Sequence, residues 1–324
     1  MGLYPEIEPY DQGMLDVGDG NHVYWEVCGN PRGKPAVVLH GGPGSGSNSG
    51  FRGYFDPAAY RVVLLDQRGC GRSTPHASAY DTDMSANTTA HVIADLERLR
   101  RHLGIERWLV WGLSWGSVLG LRYAQTHPGA VSELVLTAVG TGANREVALL
   151  TRGLGQFFPE AFERFLAELP EDERDGNLAA AYNRLIESPD PEVRARAARA
   201  WTDWETAMAP APPRSIPHYE DPVFRMGFAR MVTHYWGNDH FLGEGNDEGV
   251  VLRDAPLLKD IPGTLVQGSL DPGNLLGTVW LLHQAWPGSE LVLVDEVGHT
   301  AGAPGMVDAL VAATDRYAAR GFEP

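Results

Sequence analysis

One five-residue segment constrains the fold more strongly than any other part of the chain. Gly112-Leu113-Ser114-Trp115-Gly116 directly follows the apolar run 108–111 and opens a helical stretch that ends near His127. A serine flanked by glycines between a strand and a helix is typical of a sharp turn in which larger flanking side chains would clash. The segment therefore predicts a strand–turn–helix unit, and such units are typical of mostly parallel sheets.

Short apolar runs elsewhere extend this pattern along the chain. We predict further strands at residues 22–27, 36–39, 61–65, 134–139, 264–267 and 290–294. Residues 88–103 are predicted to be helical because apolar side chains recur there at helical spacing, and 306–317 form a predicted closing helix. Apolar strands that alternate with helices favour a mostly parallel sheet covered by helices on both faces. In such sheets the ligand lies beyond the carboxyl ends of the strands, where Ser114 falls.

The pattern changes between residues 142 and 253. Strand-like runs disappear, alanine, arginine, glutamate and tryptophan become frequent, and prolines interrupt the segment 210–222. We interpret 142–253 as a helical cap subdomain inserted into a core formed by residues 1–141 and 254–324. The length of the whole chain, 324 residues, allows one sizeable core with such an insertion.

Charge and cysteine content limit the partners. The chain has 42 acidic and 26 basic residues, a formal net charge of −16, so we expect neither nucleic acid nor an anionic membrane as a partner. This charge is interpreted as favouring solubility, with attraction of a cationic substrate as the alternative. Two cysteines do not form a disulfide framework, and neither a secretory signal nor an apolar run of roughly 20 residues is visible. We therefore expect a cytoplasmic protein.

Ser114 is the candidate nucleophile, and a serine needs a base and an orienting acid to become reactive. The order of elements predicts the α/β-hydrolase fold, in which these partners follow in the order serine, acid, histidine. Asp271 follows the predicted strand 264–267, and His299 follows the strand 290–294 by a short loop. The rival acids are Asp295 and Glu296. The rival base, His283, lies in a helical stretch.

A glycine-rich turn supplies candidates for the oxyanion hole. His40-Gly41-Gly42-Pro43-Gly44 follows a predicted strand, and we expect the backbone N–H groups of Gly42 and Trp115 to stabilise a developing oxyanion. A phosphate-binding loop would have a different glycine spacing or a lysine. The histidines are dispersed, without a zinc-binding motif, so no metal or cofactor is expected.

Several segments resemble the proline iminopeptidases. The matching segments are 15–26 (LDVGDGNHVYWE), 38–44 (VLHGGPG), 65–76 (LDQRGCGRSTPH), 87–89 and 111–128 (WGLSWGSVLGLRYAQTHP), followed by islands at 201–205, 228–236, 268–271 and 298–300. The resemblance implies hydrolysis after an N-terminal proline, whose ring lies in an apolar pocket beneath the cap and whose amine is bound by acidic side chains. The resemblance implies that Glu205 is one of these acids. The residue pattern alone, without the resemblance, favours a solvated carboxylate on an amphipathic helix.

Three features of the sequence depart from the family pattern. Val232 replaces a second amine-binding glutamate, Gly273 replaces a cysteine, and Ser269-Leu270 precedes Asp271 where Arg-Tyr is usual. We expect Val232 to weaken activity on prolyl substrates and to make one pocket wall more apolar. A displaced carboxylate is possible at Asp203, Glu244 or Asp247. The remaining candidates for substrate contact are Gly41, Trp204 and Tyr235.

The favoured function is a serine peptidase or amidase that releases a small N-terminal residue through an acyl-enzyme. Its substrate is a short peptide or an aminoacylated small molecule with a free amine. One alternative is an amidase or esterase of specialised metabolism with an altered pocket. Another is a catalytically silent binding protein on the same fold, which the complete set of Ser114, Asp271 and His299 disfavours.

Overall fold

An eight-stranded sheet forms the centre of the molecule. The computed structural model describes residues 2–208, 216–243, 249–273 and 276–320. In this part of the chain the strand order is β1-β2-β4-β3-β5-β6-β7-β8, with antiparallel pairing of β1 with β2 and of β2 with β4, and parallel pairing elsewhere. The strands are β1 (Asp11–Gly18), β2 (Asn21–Gly29), β3 (Lys34–Leu39), β4 (Tyr60–Leu65), β5 (Trp108–Leu113), β6 (Val131–Thr137), β7 (Gly263–Gly268) and β8 (Ser289–Val294).

The central strands are buried on both faces, as expected for a parallel sheet between two helical layers. Val37 and Leu39 belong to one apolar cluster, while Ala36 and Val38, which alternate with them on β3, belong to another on the opposite face. The helices around the sheet are α1 (Thr89–His102), α2 (Trp115–Thr126), α9 (Leu276–Ala285) and α10 (Pro304–Ala318). The α/β architecture predicted from the sequence is thus confirmed.

Helices fill the connection between β6 and β7. They are α3 (Asn144–Thr151), α4 (Pro159–Ala167), α5 (Leu178–Ile186), α6 (Pro191–Ala207), α7 (Pro222–Trp236) and α8 (Val250–Arg253). A third apolar cluster, whose buried members lie between Val147 and Val232, joins α3 to α7. The short helix α8 packs on α2 instead, because Val250 and Val251 belong to the cluster of the main sheet.

One arginine joins this helical insertion to the sheet domain. Arg230 on α7 is 4% exposed and donates hydrogen bonds to backbone carbonyls between Ala77 and Thr82, at 2.8 Å from Ala79 O and 3.1 Å from Thr82 O. It also forms a bidentate ion pair with Glu187 of the insertion, at 2.6 and 2.9 Å. The guanidinium therefore links both parts of the molecule over the loop that follows β4.

Two further sequence expectations concern the surroundings of the protein. Cys28 and Cys70 are free and buried. None of the helices in the described ranges has both the length and the apolar character that a membrane crossing requires.

Candidate active site

Ser114 lies at a strained turn between β5 and α2. Its backbone angles, φ 55° and ψ −119°, are rare for a residue with a side chain. Neighbouring glycines make the turn possible: a Cβ at Gly112 would collide with the backbone of Gly116, and a Cβ at Gly116 would collide with the carbonyl of Leu39. The glycine spacing identified in the sequence thus has a steric cause.

A hydrogen-bonded chain connects Ser114 with a histidine and an aspartate. His299 Nε2 lies 3.1 Å from Ser114 Oγ, and His299 Nδ1 lies 3.0 and 2.9 Å from the two carboxylate oxygens of Asp271. Because a carboxylate only accepts, Nδ1 carries the proton in the neutral ring and Nε2 is free to accept from the serine hydroxyl. Gly273 N and Gln267 Nε2 also donate to Asp271, at 2.9 and 3.1 Å, and fix its orientation.

The rival acids and base do not reach this chain of hydrogen bonds. Asp295 and Glu296 are exposed on the loop after β8. His283 lies on helix α9, and its Nδ1 is 2.8 Å from the hydroxyl of Ser289 at the start of β8. The chain order serine, acid, histidine therefore selected the three side chains that the fold brings together.

Two charges act on the imidazole of His299. Burial lowers its pKa, but the charge and hydrogen bond of Asp271 and the charge of Glu205 raise it, and the net shift is upward. The protonated ring is consequently favoured more than in an ordinary histidine. This suits a group that must hold a proton between two steps of a reaction.

The glycine-rich turn after β3 passes directly beside Ser114. A Cβ at Gly41 would lie 3.2 Å from Leu113 O and 3.3 Å from Ser114 Cβ, so glycine favours this close approach. Within the described residues, neither Gly42 N nor Trp115 N donates to a protein acceptor. Trp115 is the first residue of α2, where backbone N–H groups lack partners within the helix. Both predicted oxyanion donors are therefore available to a ligand.

A cavity of about 1050 Å³ lies between the sheet domain and the helical insertion. Ser114, His299 and Gly42 line it from the sheet side, and Glu205, Phe228 and Trp236 line it from the insertion. No arginine or lysine lines it among the described residues, whereas two carboxylates do, the half-buried Glu205 and the buried Glu146. The described residues contain no cluster of three or more side chains suited to hold a metal ion.

Glu205 is the first of these carboxylates. Trp201 Nε1 donates to its Oε1 at 2.8 Å, and the hydroxyl of Tyr219 donates to its Oε2 at 2.6 Å. Burial raises the pKa of Glu205, while the two hydrogen bonds and the His299 charge oppose this shift. A half-buried carboxylate held in this way is well suited to pair with a cationic group of a ligand.

Glu146 is the second carboxylate, and the sequence analysis did not identify it. It lies in the first turn of α3 and accepts hydrogen bonds from Thr141 N, Thr141 Oγ1 and Gly142 N, at 3.0, 2.7 and 2.9 Å. Burial raises the pKa of this carboxyl group. A glutamate that binds the loop before its own helix resembles an ordinary structural glutamate in sequence, so its position on the cavity becomes visible only in three dimensions.

Three predicted contact residues lie behind the cavity wall. Trp204 packs in the apolar cluster of the insertion and donates its Nε1–H to Leu150 O at 3.0 Å. Val232 is fully buried in the same cluster; Phe228 and Trp236, one turn before and after it, line the cavity, but the shorter Val232 does not. The expectation that Val232 forms a pocket wall is corrected accordingly.

Tyr235 also has a supporting position rather than a lining one. Its hydroxyl donates to Asn87 Oδ1 at 2.9 Å, and its ring packs edge-on against Trp115, with 4.9 Å between ring centroids. Tyr235 therefore supports the residue that follows the nucleophile. Gly41, in contrast, lines the cavity as predicted.

The other family departures fall in different surroundings. Gly273 lines the cavity, and a Cβ there would lie 3.3 Å from both Asp271 Oδ1 and His299 Nδ1, so a side chain would press on this pair. Leu270 is 64% exposed. Asp203 is exposed and does not line the cavity, while Glu244 and Asp247 lie outside the described residues.

The mostly parallel sheet, with a nucleophilic serine at a strand–helix turn and a histidine and an aspartate after later strands, defines an α/β hydrolase. The family model described as alpha/beta hydrolase fold matches residues 34–303. A probable proline iminopeptidase of Streptomyces coelicolor is 79% identical over 99% of both chains. The proline iminopeptidase of Xylella fastidiosa is 45% identical over 97% of this chain and 99% of its own.

The chain therefore belongs to the proline iminopeptidase family of α/β hydrolases and is a hydrolase enzyme. The resemblance identified in the sequence is confirmed. A crystal structure of proline iminopeptidase from Mycobacterium smegmatis, 22% identical, superposes with a TM-score of 0.61 over 96% of this chain and 98% of the other, which shows the shared fold.

Proposed function

We propose that this enzyme releases N-terminal proline from short peptides by transferring the prolyl group to Ser114. The observation that carries the proposal is that the Ser114–His299–Asp271 chain of hydrogen bonds and the half-buried carboxylate of Glu205 face one cavity. The names of the relatives from Streptomyces coelicolor and Xylella fastidiosa support the prolyl specificity.

Acylation begins when His299 Nε2 accepts the proton of the Ser114 hydroxyl. Oγ then attacks the carbonyl carbon of the N-terminal proline, and the N–H groups of Gly42 and Trp115 stabilise the oxyanion. Asp271 stabilises the imidazolium. As the C–N bond breaks, His299 gives its proton to the leaving amine, and the prolyl ester of Ser114 remains.

Deacylation uses the same groups in reverse roles. His299 Nε2 accepts a proton from water, whose oxygen attacks the ester carbonyl. The second tetrahedral intermediate collapses when the proton passes to Ser114 Oγ. Free proline and the original enzyme are the products.

Glu205 recognises the charged nitrogen of the substrate in this proposal. The cavity lining combines this carboxylate with apolar rings such as Phe228, which suits a cationic ring nitrogen on an apolar five-membered ring. An acetylated or internal residue lacks the charge, and would leave the carboxylate of Glu205 without a cationic partner in the cavity. The cap, which we propose to comprise residues 142–253, supplies this specificity, and residues 1–141 and 254–324 supply the chemistry.

Substrate identity and location complete the proposal. The cavity volume of about 1050 Å³ leaves room for a leaving group longer than one residue, so a peptide or an aminoacylated small molecule fits. Free, buried Cys28 and Cys70 support a reducing compartment, and we propose the cytoplasm.

Replacement of the nucleophile tests the mechanism. Ser114→Ala is expected to lower kcat on proline-naphthylamide by several orders of magnitude, leaving what binding and the oxyanion hole supply. Asp271→Asn is expected to lower it by about 10⁴-fold, because an amide favours the wrong histidine tautomer. Ser132→Ala, which removes a buried hydroxyl without a hydrogen-bond partner, and the exposed change Asp295→Asn serve as controls.

Ordinary turnover by Ser114→Ala would contradict the whole mechanism. A matched pair of substrates, proline-naphthylamide and its N-acetyl derivative, tests the proposed recognition of the amine. If wild-type enzyme prefers the acetylated substrate or simple esters, the amidase or esterase alternative replaces the peptidase. Failure of a fluorophosphonate probe to label Ser114 would instead favour a silent binding protein.

A further inference from the structure

Gln67 belongs to the segment 65–76, to which the mechanism assigns no role. Its side chain is 2% exposed and lies between the glycine-rich turn and the start of α2. Gln67 Nε2 donates to His40 O at 3.2 Å, and Gln67 Oε1 accepts from Trp115 Nε1 at 2.9 Å. One amide group therefore connects the two backbone segments that carry the proposed oxyanion donors.

A second set of contacts fixes the orientation of the glycine-rich turn. Gln67 N donates to His40 Nε2 at 3.1 Å, so His40 Nδ1 carries the proton and donates to Gly41 O at 2.9 Å. His40 is fully buried, and burial lowers its pKa, which favours this neutral ring. Ser45 N adds a further hydrogen bond to Gly41 O, at 3.3 Å.

These contacts determine where the Gly42 N–H points. Gly41 C=O and Gly42 N–H belong to one planar trans peptide unit, in which the two groups point in opposite directions. With the carbonyl held by His40 and Ser45, the N–H faces away from both of them. Gly42 lines the cavity, and within the described residues its N–H has no protein acceptor.

We propose that Gln67 is a positioning residue that holds the two oxyanion donors, Gly42 N–H and Trp115 N–H, at a fixed separation. The backbone N–H of Gln67 fixes the His40 tautomer, and its side chain joins the turn to Trp115. This inference rests on the proposed acyl transfer at Ser114. Donors aimed at an oxyanion act mainly on the transition state, so loss of Gln67 reduces kcat rather than substrate binding.

Gln67→Leu tests the inference because it removes both side-chain hydrogen bonds and keeps a similar volume. The expected result on proline-naphthylamide is a fall in kcat of at least 10-fold with KM changed by less than 2-fold. Prolinal, whose aldehyde forms a tetrahedral adduct with Ser114, is expected to bind more weakly by the same factor as kcat/KM falls. Inhibition by proline, which forms no such adduct, is expected to stay unchanged.

Gln125→Leu is the matched control. Gln125 is a buried glutamine on α2 whose Nε2 donates to Val251 O at 2.7 Å, away from the cavity, so its loss is expected to lower the Tm without affecting prolinal binding. Trp115→Phe removes the indole N–H that donates a hydrogen bond to Gln67 Oε1. This variant is expected to lower kcat, as Gln67→Leu does.

The two proposals fail in different ways. Unchanged kcat and prolinal affinity in Gln67→Leu, with Ser114→Ala inactive, would overturn the role of Gln67 and leave acyl transfer standing. Equal effects of Gln67→Leu on prolinal and on proline would also overturn it, because that pattern indicates general loss of structure. If Gln67→Leu does not fold, Trp115→Phe decides, and full kcat with full prolinal affinity in that variant would reject the inference.

Discussion

At the scale of single residues, the charge of Glu205 acts on two cations, the substrate nitrogen and the imidazolium of His299. Its carboxylate is one of the two charges that raise the pKa of His299, the other being Asp271. Substrate recognition and proton transfer are therefore electrostatically coupled in the proposed mechanism. Glu146, which lines the same cavity, is not among the charges that raise the pKa of this histidine.

This coupling predicts the pH dependence of the reaction. Neutral His299 is the active form, so kcat/KM rises with pH, with a midpoint above the ordinary histidine value of 6.5. Glu205→Gln removes a negative charge that favours the protonated ring, so the midpoint moves to lower pH. Profiles of kcat/KM between pH 5 and 9 measure this, with Glu146→Gln as the control. An unchanged or raised midpoint in Glu205→Gln would disprove the coupling.

The buried position of Val232 leads to a prediction for the variant Val232→Glu, which restores the glutamate of the family pattern. The side chain is fully buried in the apolar cluster of the insertion, so Val232→Glu places a carboxylate there. We expect a loss of at least about 2 kcal/mol in the free energy of unfolding, with no gain in kcat/KM on prolyl substrates. Val223→Glu adds the same charge at a 56% exposed position of the same helix and serves as the control. A stable Val232→Glu enzyme with improved prolyl turnover would return residue 232 to the substrate site.

Residue-scale predictions from sequence succeeded where chemistry dictates spacing. Ser114 needs glycines around it, and Asp271 and His299 must follow later strands, so their positions were readable from motif and chain order. Trp204 and Tyr235 lie behind the residues that line the cavity. The sequence pattern shows which residues of a helix are buried, but it does not show which of them reach the cavity surface. Glu205 became a candidate only through the family resemblance.

At the scale of elements, β1 shows where an apolar pattern fails. This strand pairs with β2 at the sheet edge, and most of its side chains are exposed or half-buried. Residues 11–18 therefore lack the apolar run that marks a buried strand, and β1 was not predicted. Central strands such as β3 are buried on both faces and were recognised within two residues.

Arg230 supports a prediction about how helix α7 is attached. Arg230→Met leaves the carbonyls between Ala77 and Thr82 and the carboxylate of Glu187 without their donor. We expect hydrogen exchange in α5 to α7 to become faster, with the free energy of opening lowered by about 2 kcal/mol or more, while β3 and β5 stay protected. KM on prolyl substrates is expected to rise more than kcat falls.

Arg184→Met provides the comparison for this experiment. Arg184 is paired with Glu173, so both partners of this ion pair lie within the insertion. Exchange measured by mass spectrometry should therefore separate the two arginines. Equal exchange rates in the insertion for the two variants would show that Arg230 does not anchor it.

At the scale of the whole molecule, the alternation of strands and helices and the interruption between β6 and β7 were both visible in the sequence. The limits of the insertion were less accessible, because α8 is helical like its neighbours but packs on α2. Membership of a packed cluster depends on contacts between distant segments, and hydrophobic periodicity does not encode these contacts.

The insertion has its own apolar cluster, with buried members between Val147 and Val232, and it begins after β6, whose last residue, Thr137, accepts a hydrogen bond from Ser114 N. Substitutions inside that cluster alter the shape of the cavity roof without displacing the strands that hold the nucleophile and the acid. Proteins that descend from one ancestral gene can consequently differ in substrate specificity while they keep the same reaction. The segment that shapes the cavity roof can therefore vary independently of the segments that carry the nucleophile and the acid.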